Sequence, residues 1–93
     1  MAKYSGLESA VDGVTTANQD LYQVAKTKEG WDTYTPFRKV SFIPTSGDCH
    51  IIVNKDGGSI TALQDIGWSE DNAQIDIFQV VEAGVEYVLS YRY

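Results

Sequence analysis

The chain has 93 residues, a formal net charge of −6, 43% hydrophobic and 12% aromatic residues, and a single cysteine and histidine. That length suits one domain, the lone Cys49 excludes an internal disulfide, and one Cys with one His cannot build a zinc site within the chain. No apolar run approaches the ~20 residues needed to cross a bilayer, and an acidic surface repels phosphate backbones, so neither membrane nor nucleic acid is expected as a partner. The acidity is uneven: residues 1–39 carry five basic and five acidic side chains, residues 40–93 two basic and eight acidic.

Residues 4–25 show heptad spacing. Tyr4, Val11, Asn18 and Ala25 recur every seven residues, and Leu7, Val14 and Leu21 follow three residues behind. These are the a and d positions of a coiled coil, with a polar residue at one a position to fix register. The spacing predicts a helical or extended oligomerisation arm whose candidate interface is Leu7, Val11, Val14, Asn18 and Leu21. An amphipathic helix packed on a sheet, or a partly disordered arm, is the plainer alternative, because Gly13, Thr15 and Thr16 are poor helix formers. Residues 26–36 form a polar connector with Gly30 and Pro36. Trp31 and Tyr34 stand out there, either packing under the sheet or forming an exposed patch; packing is the preferred expectation.

From Phe37 the pattern turns to β. Strands are predicted at Val40–Ile43, Cys49–Val53 and Ser59–Leu63, separated by Pro44–Asp48 and Asn54–Gly58, both rich in turn residues. An acidic loop from Gln64 to Asn72 carries Trp68. Two further runs, Ile75–Val81 and Val85–Tyr93, flank Glu82-Ala83-Gly84 and read as a closing hairpin. In the second run Val85, Tyr87, Leu89, Tyr91 and Tyr93 share one face, a period of two that marks a half-buried strand. The expected fold is all-β: a small antiparallel sandwich or barrel over residues 37–93, with residues 1–36 as arm and connector.

The residues offer little for catalysis, and the expectation is a non-enzyme without metal or cofactor. Adjacent strand residues point to opposite faces, so Cys49 and His50 do not form a thiolate–imidazole pair. The loop carboxylates lack the alternation of a calcium loop. Trp68 beside Asp65 and Glu70 is the one candidate contact set: a sugar ring would stack on the indole while the carboxylates accept its hydroxyls. The alternative, which is preferred, has Trp68 folding back to cap the core.

Phe37–Pro44, Cys49–Asn54, Phe78–Tyr87 and the Tyr91-Arg92-Tyr93 end together resemble a small β-domain of tailed-bacteriophage virion proteins. The resemblance covers about three-fifths of the chain and implies a structural component: a head decoration, head fibre or tail-associated protein, with no active-site residues. On that reading the chain is made in the host cytoplasm without an export signal of its own. It resides in the virion and partners itself, as a trimer or higher homo-oligomer, and other virion proteins. The competing expectation is a carbohydrate- or peptide-binding module using Trp68, Trp31 and nearby carboxylates, with host-surface glycan as partner.

Overall fold

The computed structural model describes residues 9–54 and 58–93. Tyr4 and Leu7 of the heptad series lie outside the described residues, as does the centre of the Asn54–Gly58 turn. Among the described residues, eight strands and one helix follow in the order β1 (Ser9–Val14), β2 (Gln19–Asp20), α1 (Leu21–Glu29), β3 (Lys39–Pro44), β4 (Cys49–Val53), β5 (Ile60–Ala62), β6 (Trp68–Glu70), β7 (Phe78–Val80) and β8 (Glu86–Arg92). They form two antiparallel four-stranded sheets, β1-β8-β3-β6 and β2-β7-β4-β5, packed into a sandwich.

The pairing order explains the shape. β1 pairs with β8, β2 with β7, β3 with β6 and β4 with β5. This is one long antiparallel ribbon rolled up so that β8 also meets β3 and β7 also meets β4. Eight strands joined in this way make a jelly roll.

Alternation places the core. On β3, Val40, Phe42 and Pro44 point inward while Lys39, Ser41 and Ile43 point out; on β8, Tyr87, Leu89 and Tyr91 point inward. Facing them are Cys49 and Ile51 of β4 and Phe78 and Val80 of β7. Phe42 and Phe78, with ring centroids 5.3 Å apart, close the gap between the sheets. Each fully buried side chain of this size contributes roughly 1.5–3 kcal/mol. The core therefore outweighs any single loop contact.

The expected closing hairpin is corrected. Ile75–Val81 and Val85–Tyr93 do not form a hairpin, because β7 lies in one sheet and β8 in the other. Both flanks of β8 are taken by β1 and β3, and both flanks of β7 by β2 and β4. Glu82-Ala83-Gly84 instead carries the chain across the edge of the sandwich, so that both apolar faces meet a common core. Thr15, on the parallel crossing from β1 to β2, pins this corner. Its N–H donates to Val85 O (3.0 Å), its hydroxyl donates to Glu82 O (2.7 Å) and accepts from Val85 N (3.1 Å), and its carbonyl accepts from Gly84 N (2.8 Å).

The heptad positions do not share a helix. Val11 and Val14 lie on β1, in register with Leu89 and Glu86 of β8, and Asn18 takes a left-handed turn (φ 56°). Leu21 begins α1 and is fully buried with Ala25, so it is not free to meet another chain. The short α1 starts at Asp20, whose Oδ1 accepts from Tyr22 N (3.0 Å) and from Phe78 N (2.9 Å), fastening the helix to β7 as it caps it. Leu21, Tyr22 and Ala25 belong to the same core as Phe37 and Tyr91. Residue 36 therefore divides no two cores, and residues 9–36 are part of the roll.

The acidic loop is shorter than expected, since Trp68–Glu70 forms β6 against Val40–Phe42. Gly67 makes this possible. It has φ 75°, and a Cβ there would lie 2.0 Å from Phe42 O. Among the described residues no helix is long and apolar enough to cross a membrane.

Candidate functional site

Trp68 stands opposite Phe42 on the inward face of β6, and its ring packs 5.9 Å from that of Phe78. It belongs to the half-buried shell of the core. Asp65, exposed at φ 62°, occupies the β5–β6 turn, where its N–H donates to Pro44 O (2.8 Å). Glu70 is exposed at the end of the edge strand β6. The indole is thus committed to Phe78 while the two carboxylates remain in solvent.

Cys49 and His50 point to opposite faces. Cys49 is 1% exposed, and burial, followed by the charges of Glu82 and Asp48, pushes its thiol up to about 11. His50 faces outward, with Nδ1 2.5 Å from Glu82 Oε2, while its backbone N–H donates to Glu82 Oε1 (2.8 Å). That backbone bond, more than the imidazole, holds the Glu82 carboxyl below its ordinary range. The pair ties β4 to the β7–β8 corner.

A concavity lies elsewhere, where the connector passes α1 and meets the approach to β7. It has a volume of about 450 Å³ and is lined by Trp31, Tyr34, Gln23, Lys26, Asp32 and Asp76 among others. Its floor is aromatic. Trp31 packs edge-on against Tyr93 (4.6 Å), tilted on Tyr22 (5.9 Å) and edge-on against Phe37 and Tyr91 (6.2 and 6.1 Å). Tyr22 donates its hydroxyl to Thr35 O (2.9 Å), which ties the connector to the helix. Glu29 accepts from Tyr91 (2.8 Å) and Tyr93 (3.1 Å) behind the cluster. The Trp31 Nε1–H is buried and has no hydrogen-bond partner among the described residues.

Tyr34 is different. It is 62% exposed, yet its hydroxyl donates to Asp76 Oδ2 (2.9 Å) and accepts from Gln74 Nε2 (3.3 Å). Both bonds tie the ring to the Gln74–Asp76 segment. No family model, curated protein or solved structure matches the chain. Of the residues lining the cleft, the sequence drew attention to Trp31 and Tyr34, aromatics in a polar connector. Asp76 and Gln74 sit forty or more positions away, and no local pattern joins them to the connector.

A second surface feature is apolar. On the outer face of the β1-β8-β3-β6 sheet, Val88 (40% exposed) lies between Asp12 of β1 and Ile43 of β3, with Val14 (60% exposed) one diagonal step away. Ile66, 71% exposed, stands on the β5–β6 turn that is bonded to the end of β3.

Proposed function

We propose that this chain is a structural building block of a tailed-bacteriophage particle. It would be an oligomeric decoration, fibre or tail-associated protein that docks on the capsid or tail and has no catalytic role. Synthesised in the host cytoplasm, it would take its place in the virion. Two features support the reading beside the sequence resemblance. The strand order is that of the jelly roll, an architecture used by viral capsid domains among others; fold alone does not fix function.

The observation that carries the proposal is the apolar diagonal Val14–Val88–Ile43 on the outer face of the β1-β8-β3-β6 sheet. Exposed apolar residues gathered on one face mark an interaction surface. β1, the edge strand that carries one end of this diagonal, would bring Val14 of the predicted interface to a neighbouring subunit, whereas Val11 packs inward against the core. A Trp68-centred glycan or peptide module is the other reading, and the inward packing of that indole on Phe78 weighs against it.

Light scattering on the purified full chain tests the proposal. A trimer or higher assembly is expected, dissociating in the Val14→Lys/Val88→Lys double variant while the circular dichroism spectrum is retained. A strict monomer at high micromolar concentration overturns it.

A further inference from the structure

We propose that the cleft between α1, the connector and Asp76 binds a neutral saccharide, with Tyr34 as its stacking platform. The inference stands on the geometry of this cleft and does not depend on the virion reading.

Tyr34 carries it. An exposed tyrosine usually trades rotamers freely, but here Asp76 and Gln74 both hold the hydroxyl, so the ring is fixed while 62% of the residue stays open to solvent. A ligand that stacks on it pays little to order it. The cleft volume, about 450 Å³, falls within the range of small-ligand sites.

The lining chemistry selects the ligand class. Gln23 offers both donor and acceptor groups, Lys26 donors, and Asp32 and Asp76 acceptors. That mixture beside an aromatic face matches a pyranose, which has an apolar C–H face and a rim of hydroxyls. Two carboxylates against one ammonium disfavour a phosphate or other anion, and Lys26 disfavours a bare cation. A purely apolar ligand would leave the polar groups without partners. An extended peptide would seek an open strand edge, yet β7, the strand next to the cleft, is flanked on both sides by β2 and β4.

The test is a two-dimensional NMR titration of the full chain with glucose, galactose, N-acetylglucosamine, maltose, lactose and diacetylchitobiose. Inorganic phosphate and an acetylated tripeptide serve as comparison probes. At least one sugar should give saturable shifts, with a Kd of roughly 1 mM, confined to the Trp31 indole N–H and the backbone of residues 31–34 and 76–77. Tyr34→Ala should weaken that sugar about tenfold, the scale of one aromatic contact, and leave the melting temperature near that of the parent. Tyr34→Phe, which keeps the stacking face but loses both bonds that hold it, should bind more weakly than the parent and more tightly than Tyr34→Ala. The proposal falls if no sugar shifts these resonances at about 10 mM, tenfold above that Kd. It also falls if Tyr34→Ala binds like the parent, or if phosphate or the peptide produces the shifts instead. None of these outcomes bears on the subunit count, so the two proposals fail separately.

Discussion

Thr15→Val removes one hydroxyl from a side chain that is 4% exposed and replaces it with a methyl group of nearly the same size. Shape is preserved, so the effect isolates two hydrogen bonds: the one donated to Glu82 O and the one accepted from Val85 N. The Val85 bond is buried, and valine offers it nothing. A buried donor or acceptor left unsatisfied costs about 1–3 kcal/mol, so the pair should cost about 2–4 kcal/mol. A domain of this size has roughly 5–14 kcal/mol in total, and the melting temperature should fall by about 10–25 °C. Thermal and urea unfolding followed by circular dichroism would measure this. Thr15→Ser, which keeps the hydroxyl and loses one methyl, should cost only about 1 kcal/mol. If Thr15→Val melts with the parent, or Thr15→Ser is equally damaged, the corner is not held by these bonds and the reasoning fails.

Two glycines separate space from backbone conformation. Gly67→Ala places a Cβ 2.0 Å from Phe42 O at φ 75°, whereas Gly84→Ala at φ 79° meets nothing within 4 Å. The first should cost about 3 kcal/mol or more and the second about 1–2 kcal/mol, and equal losses in urea unfolding would refute the clash. For Glu29, burial alone would raise the carboxyl, but hydrogen bonds from Tyr91, Tyr93 and Ser9 outweigh it and hold the group below its ordinary value. A depressed native pKa gives stability that is present above the unfolded value and lost as pH falls through the native one. Glu29→Gln should therefore flatten the loss of stability between about pH 5 and 3, and an unchanged acid slope would count against the clamp.

What the sequence made legible was local. The period-two face of β8 can be read from residues 85–93 alone because alternation follows from strand geometry wherever one side is buried, and Val85, Tyr87, Leu89 and Tyr91 are buried as read. The strands at Val40–Ile43 and Cys49–Val53 were equally clear between their turn clusters. Glu82-Ala83-Gly84 misled because a hairpin and a sheet-crossing corner use the same turn residues. Which one forms depends on partners up to seventy positions away, such as Thr15. The heptads misled for a related reason. A spacing of seven is shared by chance between a strand (Val11, Val14), a left-handed turn (Asn18) and a helix (Leu21, Ala25), and the edge of β8 claimed the first of these. The cleft was half-visible, as Trp31 and Tyr34 without the Asp76 and Gln74 that fix the latter.

The helix explains why the cleft forms where it does. The connection from β2 to β3 must pass from one sheet to the other, and α1 with the connector fills that passage. Leu21, Tyr22 and Ala25 turn into the core, and Gln23 and Lys26, on the opposite side of the same short helix, face solvent. One helix therefore supplies both floor and rim, with Tyr22 packed on Trp31 and Phe37 below while its hydroxyl holds Thr35 of the connector above. The cluster beneath is rigid because Phe37 stacks on Tyr91 at 4.8 Å and Glu29 fastens Tyr91 and Tyr93 to the end of the helix. Residues that fold the protein thus also shape the cleft, and substitutions at Tyr22 or Trp31 would confuse stability with recognition. Tyr34 and Asp76 lie outside that cluster, which makes them the positions where recognition can be removed while the fold remains.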